Sequence, residues 1–391
     1  MPDYKILDFD FNKLPSPCYV LDEVLLEKNL KILKSVMEQT GCSILLAQKA
    51  FSMYCEYPLI GKYLSGTTAS SLFEAKLGRE MQGEVHIFSP AYREDEIEEI
   101  LDCCDHIVFN SLQQWNRYKE KVMLAKKRKH IECGLRINPE YSEIEVDLYN
   151  PCFSNSRFGI TKEQLEHADL EGIDGLHFHA MCEQNADVLE RILEKVEESF
   201  GCYFAQMKWI NFGGGHHITK PNYDMECLVR CIKHMQSTYG VKVYLEPGEA
   251  IACDTGYMVC EVLELMENGM KLAILDTTAA CHMPDVLEMP YRPEVLGGRN
   301  PANLTEEEKQ KVAIYRFGGP TCLSGDVIGD YAFLKPLQVK DRLVFTDMMI
   351  YSMVKNNTFN GINLPSIAVV DKNREIRIHK QFHFEDFKSR L

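Results

Sequence analysis

The sequence predicts an α/β fold in which a closed (β/α)8, TIM-like barrel is followed by a β domain. Three observations favour it: eight short apolar runs separated mostly by helical patterns, a polar or glycine residue closing each run, and a change of pattern beyond about residue 255. Alternating strands and helices indicate a parallel sheet, and eight such units in roughly 230–250 residues fit a closed barrel. The alternative is an open doubly wound sheet, but the Gly-x-Gly-x-x-Gly expected after its first strand is absent.

The eight apolar runs predict the barrel strands. The first run, residues 43–49, follows a helical pattern that Asp22 can cap and Gly41 ends. The later runs cover residues 66–70, 85–89, 106–110, 133–138, 175–179, 208–212 and 241–246. The carboxyl ends of barrel strands share one face, where active sites are built. We therefore expect one face to carry the residues that close the runs: Lys49, Ser70, Ser89, Asn110, Asn138, His179, Gly213 and Glu246.

Beyond the eighth run, strand-like segments continue without long helices between them. They cover residues 257–265, 272–275, 312–317, 343–346 and 367–370. We therefore predict a barrel domain at 21–255 and a β-sandwich or β-barrel-like domain formed by 1–20 and 256–391.

Composition narrows the class of protein. A net charge of −15 disfavours nucleic acid as a partner, because phosphate binding needs clustered lysine and arginine. No apolar run approaches the length of a membrane span, and the N-terminus lacks the pattern of a signal peptide, so we expect a cytoplasmic protein that does not bind membranes. The 15 cysteines include no Cys-x-x-Cys pair, so we expect mostly free, buried thiols. His177 and His179 alternate along a strand and would face opposite sides, so we expect no metal site.

A lysine that closes a buried strand is unusual. The amine of Lys49 either reaches solvent from the strand end or lies in a dry pocket with a lowered pKa, ready to form a Schiff base. Gly213, Gly214 and Gly215 follow a strand, and this stretch is either a tight turn or a cradle of backbone N–H groups for phosphate.

Two further residues close strands on the predicted active face. Pro247 and Gly248 turn the chain so that Glu246 faces the barrel mouth, where a carboxylate needs a cation. His179 could stack on an aromatic ligand or be an ordinary core histidine. A lysine, a phosphate cradle, a carboxylate and an imidazole together suggest pyridoxal phosphate.

With its motifs in this order, the chain resembles the fold-type III pyridoxal-phosphate decarboxylases, and within them the carboxynorspermidine/carboxyspermidine decarboxylase branch. The resemblance covers nearly the whole chain. Seven sequence motifs carry it. The first ends at Lys49, and the others cover residues 176–179, 211–219, 245–250, 281–285, 322–326 and 355–361.

The resemblance implies roles for individual residues. Lys49 would form the Schiff base, His179 would stack on the cofactor ring, and Glu246 would pair with the pyridine nitrogen. Cys322 would lie in a loop that crosses a homodimer interface and would protonate the carbanion after CO2 leaves.

Two residues depart from the wider decarboxylase pattern. Glu249 stands where arginine usually follows Glu-Pro-Gly, and Phe359 stands where a phosphate-binding tyrosine is usual, for which Tyr351 is a possible substitute. Because carboxynorspermidine is a net cation, we expect Glu249, Asp285 and Asp326 to contact its ammonium groups.

The predicted function is therefore decarboxylation of carboxynorspermidine, carboxyspermidine or both, in polyamine biosynthesis. The nearest alternative is a decarboxylase of the same group that acts on ornithine, arginine or diaminopimelate. A racemase, a non-catalytic pyridoxal-phosphate carrier and a metal-dependent barrel enzyme are weaker alternatives.

Overall fold

The computed structural model describes residues 7–391, which form two compact units. The barrel unit is Glu27–Ile251, and the sheet unit combines the described residues up to Leu26 with Ala252–Leu391. The division at 20/21 and 255/256 stays a prediction, and its residues 1–6 lie outside the described part.

The predicted closed barrel is confirmed. After β1 (Cys18–Asp22), which belongs to the sheet unit, eight parallel strands pair in chain order, and the eighth pairs back with the first. These strands are β2 (Ser43–Ala47), β3 (Gly66–Ala69), β4 (Glu84–Phe88), β5 (His106–Phe109), β6 (Glu132–Arg136), β7 (Gly175–His177), β8 (Trp209–Asn211) and β9 (Lys242–Leu245). β2 is buried at every position, as expected for a strand covered on both faces.

Helices alternate with the barrel strands. They are α1 (Glu23–Thr40), α2 (Tyr57–Ile60), α3 (Leu72–Gly78), α4 (Ile97–Cys103), α5 (Leu112–Arg128), α6 (Lys162–Leu165), α7 (Ala186–Phe204), α8 (Met225–Tyr239) and α9 (Glu249–Ala252). Side-chain caps explain where two of them begin. Ser71 Oγ accepts the N–H of Glu74 at 3.4 Å, and Ser111 Oγ accepts the N–H of Gln114 at 3.1 Å.

The sheet unit continues from β1. Its other strands are β10 (Gly256–Glu267), β11 (Lys271–Leu275), β12 (Ala313–Gly318), β13 (Val327–Phe333), β14 (Arg342–Thr346), β15 (Ser366–Val370) and β16 (Ile376–Lys380). Their order is β13-β12-β11-β10-β1-β15-β16, and β14 also pairs with β10. The sequence pattern missed β13 and β16.

Short helices connect the strands of the sheet unit. They are α10 (Ala279–His282), α11 (Asp285–Glu288), α12 (Glu306–Lys309), α13 (Ser352–Lys355) and α14 (Phe384–Lys388). Five 3-10 turns complete the described chain: Phe11–Lys13, Tyr54–Glu56, Asp147–Tyr149, Pro301–Asn303 and Phe359–Gly361. Within residues 7–391, a helix with the length and apolarity to span a membrane is absent.

The amino-terminal half of the barrel interior holds a stacked pair of histidines. The rings of His86 and His106 lie 3.9 Å apart between centroids and only 8° from parallel. Trp209 and Tyr244 pack around them. Burial, followed by the charge of His86, lowers the pKa of His106 to about 2, although Glu84 opposes the shift.

His106 is therefore expected to make the fold sensitive to acid. The folded state keeps His106 neutral, whereas the unfolded chain binds a proton below about pH 6.5, so stability falls as pH falls between these values. Between pH 7 and pH 5 this one group should cost about 2 kcal/mol of unfolding free energy. Urea unfolding at pH 7 and pH 5 gives the drop in unfolding free energy between the two pH values. This drop should be about 2 kcal/mol smaller in His106→Phe than in the wild type. Replacing the exposed His130 with asparagine is the matched control, and an unchanged acid loss in His106→Phe would contradict the assignment.

Candidate active site

The carboxyl ends of four barrel strands bring the predicted barrel residues to one mouth. Lys49 follows β2, His179 follows β7, Gly213 follows β8 and Glu246 follows β9. Backbone bonds join these ends, because the N–H of Glu246 donates to the carbonyl of Gly213 at 2.7 Å and the N–H of Phe178 donates to the carbonyl of Asn211 at 2.9 Å. The ends of β7, β8 and β9 are therefore connected by backbone hydrogen bonds.

Lys49 opens into this mouth. Its residue surface is exposed, and within residues 7–391 its ammonium has no hydrogen bond or ion pair. Poor solvation among the surrounding protein atoms lowers its pKa, and the positive charge of Arg136 adds to the shift, against the attraction of Glu246. The preceding Gln48 is fully buried and is held by Tyr57, whose hydroxyl donates to Gln48 Oε1 at 3.0 Å. The lysine thus projects from a fixed strand end with an amine whose pKa lies below its usual value.

Glu246 is held as a carboxylate. Burial by itself would raise its pKa, but interactions with His177 and the amide of Asn211 outweigh burial and lower the pKa to about 2. Asn211 Nδ2 donates to Glu246 Oε1 at 2.8 Å, and His177 Nε2 lies 3.5 Å from Glu246 Oε2. The same Asn211 accepts the N–H of Gly213 on its Oδ1 at 2.8 Å. One amide side chain therefore fixes both the carboxylate and the start of the glycine turn.

His179 is a neutral, fixed ring. Burial, followed by the charges of Lys49 and Arg136, lowers its pKa well below the usual range. The neutral ring can accept the N–H of Gly214 on Nδ1, a contact of 3.1 Å. The buried Arg136 lies beside it. Arg136 Cζ is 4.6 Å from the ring centroid of Phe88 and 4.4 Å from that of Phe158.

The glycine turn after β8 packs against neighbouring loops. A Cβ at Gly213 would lie 2.4 Å from the carbonyl of Phe178, and one at Gly215 would lie 2.1 Å from the carbonyl of Met181. Both residues also have positive φ, so a side chain would be strained there. The N–H groups of Gly213 and Gly214 are already engaged, by Asn211 and His179. Those of Gly215 and His216 have no acceptor among the described residues and can receive an anion's oxygens.

A second part of the mouth is acidic. Glu249 Oε2 lies 3.2 Å from His217 Nε2, and a carboxylate oxygen of Glu183 lies within 4.8 Å of both. Burial, then the nearby charge of Glu249, raises the pKa of Glu183. The backbone on either side of this cluster is tied together, because the N–H of Gln184 donates to the carbonyl of Gly215 at 3.0 Å. A cationic group would relieve the repulsion between the two carboxylates.

The other predicted residues lie in the sheet unit. Cys322 is exposed on the loop between β12 and β13, and its N–H donates to Asn360 Oδ1 at 2.8 Å. Asp326 is buried at the end of that loop, where its carboxylate accepts from Thr278 Oγ1 at 2.7 Å and Thr321 Oγ1 at 2.6 Å. These bonds give the loop that carries Cys322 a defined shape.

Asp285 and Phe359 lie near the same loop. Asp285 Oδ1 pairs with Lys355 Nζ at 2.5 Å, and Lys355 also contacts Glu288. Asn357 Nδ2 donates to the carbonyl of Ala280 at 2.8 Å, so the stretches 281–285, 322–326 and 355–361 form one cluster. Phe359 is 46 % exposed on a 3-10 turn of this cluster. Substrate contacts from Asp285 and Asp326 stay a prediction, since both carboxylates already have partners within the sheet unit.

Comparison with known proteins decides the family. The family described as pyridoxal-dependent decarboxylase, C-terminal sheet domain, matches residues 18–349. A Campylobacter jejuni relative named carboxynorspermidine/carboxyspermidine decarboxylase is 45% identical over 97% of this chain and 99% of its own. The chain belongs to the pyridoxal-dependent decarboxylases. It is a decarboxylase enzyme, and the resemblance inferred from its motifs is confirmed.

Other similar proteins share the fold, and their names refer to different substrates. A Synechocystis relative named carboxyaminopropylagmatine decarboxylase is 43% identical over 97% of this chain and 96% of its own. The crystal structure of a carboxynorspermidine decarboxylase complexed with norspermidine from Campylobacter jejuni has a TM-score of 0.88 at 43% identity and covers 97% of this chain and 100% of that chain. A diaminopimelate decarboxylase from Helicobacter pylori has a TM-score of 0.82 at 17% identity, over 97% and 99% of the two chains, and shows the shared fold alone.

Sequence reasoning missed four residues of the decarboxylase mouth: Arg136, His177, Asn211 and Glu183. Arg136 carried a usable signal, because a charged residue inside an apolar run is as unusual as the lysine that closes the first run. Asn211 and His177 precede polar strand ends by only two residues and were passed over for Gly213 and His179. Glu183 gives no such signal, because it lies in a loop and meets Glu249 only through the barrel closure.

Proposed function

We propose that this decarboxylase binds pyridoxal 5′-phosphate at Lys49 and removes CO2 from carboxynorspermidine, carboxyspermidine or both, in polyamine biosynthesis. The observation that supports this most is the barrel mouth. It combines a lysine with a lowered pKa, an ionised carboxylate and two backbone N–H groups. Within residues 7–391 the lysine amine has no ion pair and the two N–H groups have no acceptor. The relatives that act on carboxylated polyamines, by their names, are 34–45% identical to the chain over nearly its full length.

The chain's residues divide the work of holding the cofactor. Lys49 is the amine for its aldehyde, the N–H groups of Gly215 and His216 receive phosphate oxygens, and the turn Gly213–Gly214 shapes their approach. His179 offers a flat neutral face, and Glu246 keeps a proton on the ring nitrogen. When bound, the cofactor supplies a ring that accepts the electron pair left by the departing CO2.

Substrate recognition is proposed for the acidic part of the mouth. Glu249 and Glu183 present two carboxylates in a partly dry setting, which suits an ammonium group of a polyamine. Cys322 is proposed to return a proton to the substrate Cα. In a homodimer, the loop that carries Cys322 would bring this exposed thiol to the barrel mouth of the partner subunit. The enzyme is proposed to be cytoplasmic.

A carboxylated aminopropylagmatine is the second candidate substrate. The relative with that name is 43% identical, almost as similar as the carboxynorspermidine/carboxyspermidine relative. The two substrate types share the reacting end and differ at the far end, where a guanidinium replaces an ammonium. Carboxynorspermidine and carboxyspermidine differ by one methylene, worth only about 1–3 kcal/mol in a pocket.

A substrate panel tests the proposed function. Purified protein supplied with pyridoxal phosphate is incubated separately with each carboxylated polyamine, carboxyaminopropylagmatine, ornithine, arginine and diaminopimelate. We expect CO2 and the product amine from the carboxylated polyamines at the highest kcat/KM. Preferred release of CO2 from ornithine, arginine or diaminopimelate would overturn the proposal, and preference for carboxyaminopropylagmatine would establish the second candidate.

Glu249→Gln should weaken substrate binding more than turnover. The amide keeps an acceptor for His217 but loses the charge that would pair with a substrate ammonium. Breaking one side of a buried charge pair costs about 2–5 kcal/mol, so kcat/KM should fall more than about tenfold, mainly through KM. Steady-state kinetics are compared with Glu226→Gln, an exposed carboxylate on α8. An unchanged kcat/KM in Glu249→Gln would show that Glu249 does not bind substrate.

Cys322→Ala should lower kcat while leaving KM nearly unchanged. A positioned proton donor contributes about 10²–10⁴-fold to a rate, and the loop around Cys322 is held whatever its side chain, because its N–H makes the bond to Asn360. The control is Cys202→Ala, another exposed cysteine, on α7. If both variants turn over at the wild-type rate, Cys322 is not the proton donor.

A further inference from the structure

Two adjacent cysteines lie away from the barrel mouth. Cys103 ends α4 and Cys104 caps it, just before β5 begins at His106. The mouth is built at the carboxyl ends of the strands, so this pair occupies the opposite, amino-terminal face of the barrel. The proposed decarboxylation uses neither thiol.

The geometry of the pair is that of a donor and an acceptor. The two Sγ atoms lie 3.9 Å apart. Cys104 is fully buried, whereas Cys103 is half-buried and open to small reagents. An external reagent can therefore react at Cys103 but not at Cys104. The Cys104 sulfur lies close enough to contact an adduct formed on Cys103.

Cations hold the backbone around the pair. Arg79 Nε donates to the carbonyl of Cys103, and Arg79 Nη1 pairs with Asp105 Oδ2 at 2.9 Å. Lys129 Nζ donates to the carbonyls of Asp102 and Cys104 at 2.9 and 2.7 Å. Two positive charges therefore lie next to the backbone of the pair, and positive charge favours the thiolate, the reactive form of cysteine.

The electrostatics agree with this geometry. The hydrogen bond from Cys104 lowers the pKa of Cys103 to about 7; burial opposes the shift, and the charges of Arg79 and Lys129 reinforce it. Burial raises the pKa of other cysteines, as for Cys231 at about 12. Cys227 and Cys231 also form a close pair, but both are buried, so an external reagent reaches neither.

We propose that Cys103 and Cys104 are a modification site that exchanges with small-molecule disulfides of the glutathione type and closes into a reversible disulfide. First the Cys103 thiolate bonds to one sulfur of the reagent, whose S–S bond breaks and whose other half leaves as a thiolate. Then the Cys104 sulfur bonds to Cys103, and the second half leaves. The two protein thiols lose two electrons and two protons, and the reagent takes them up as two thiols.

The product is expected to be labile. Adjacent Cα atoms are only about 3.8 Å apart, below the roughly 4.4–6.8 Å of ordinary disulfides. A disulfide between them is strained and readily reduced, as regulatory disulfides are. Excess thiol should therefore restore the pair.

Peptide mass mapping of the full-length protein tests the proposal. After incubation with oxidised glutathione at pH 7, the wild-type peptide with both cysteines should lose two hydrogens and regain them with reduced glutathione. Cys104→Ser should instead keep a glutathione adduct on Cys103. Cys202→Ser is the matched control and should leave the pair's reaction unchanged. Reaction of Cys202 and Cys322 while Cys103 stays unmodified would overturn the proposal.

A rate comparison separates activation by Cys104 from simple exposure. Cys104→Ala removes the donor, and a return of the Cys103 pKa from about 7 to the ordinary value of 9.0 would cut its thiolate fraction at pH 7. The thiolate fraction would fall about fiftyfold. Each remaining thiolate would be more basic and about tenfold more nucleophilic, so adduct formation should slow about fivefold in all. Cys104→Ser, which keeps an O–H donor, should react near the wild-type rate. Equal rates in Cys104→Ala and Cys104→Ser would refute activation by Cys104.

Discussion

Lys49→Ala should lose the covalent link to pyridoxal phosphate and nearly all release of CO2. We expect kcat to fall at least about a hundredfold, the low end of what a positioned catalytic group contributes. Lys49→Arg should lose as much, because a guanidinium keeps the positive charge but stays protonated and cannot bond to an aldehyde. The wild-type amine is suited to that bond because its surroundings and Arg136 lower its pKa.

A readout independent of activity locates the link. Borohydride reduction of the loaded wild-type protein should fix the cofactor's mass on the peptide that contains Lys49, and no such mass should appear there in Lys49→Ala. The matched control is Lys62→Ala, an exposed lysine in the barrel unit, which should be labelled at Lys49 as in wild type. Full turnover by Lys49→Ala, or labelling at another lysine, would remove the basis of the proposed function.

Glu246→Gln should have the second largest effect. The carboxylate has a pKa of about 2, so it is ionised throughout the neutral range and can hold a proton on the cofactor's ring nitrogen. The glutamine keeps the size and can still accept from Asn211, but it has no charge. Loss of one preorganised electrostatic contact costs about 10²–10³-fold in kcat.

Spectra and a conservative variant distinguish this role from a structural one. Glu246→Gln should still bind pyridoxal phosphate, with a changed visible absorbance, while Glu246→Asp should recover part of kcat. Thermal unfolding of the apo variants should show that both remain folded. Wild-type kcat in Glu246→Gln would exclude Glu246 as the partner of the ring nitrogen.

The barrel and its mouth followed from short-range patterns. Each barrel strand overlaps one of the eight runs, and the residue type at its end is visible in the sequence, so the positions of Lys49 and Glu246 at one face could be predicted. The sheet unit was harder. β13 contains Gly329 and Asp330, residue types that strands disfavour, and β16 is an edge strand with charged, partly exposed residues.

Partners set by tertiary contact could not be predicted. Nothing local indicates that Asn211 engages Gly213 and Glu246 together, or that Asp326 lies buried beneath hydroxyl donors. These contacts depend on loops that meet only after the barrel closes or the sheet unit folds. The sequence pointed to the N–H groups of all three glycines as the anion site. In the described part of the chain, those without an acceptor are the N–H groups of Gly215 and His216.

The pairing of β1 has a consequence for how the enzyme is made. β1 precedes the whole barrel in the sequence, yet it pairs with β10 on one side and β15 on the other. Cys18 lies opposite Val259 of β10 and Ser366 of β15. A ribosome adds about 5–20 residues per second, so this strand waits on the order of tens of seconds for its neighbours. The barrel segment can collapse on itself during that interval. In a nascent chain β1 should therefore stay without its sheet neighbours until β10 and β15 are made, and cutting the gene before β15 should leave β1 without a parallel neighbour.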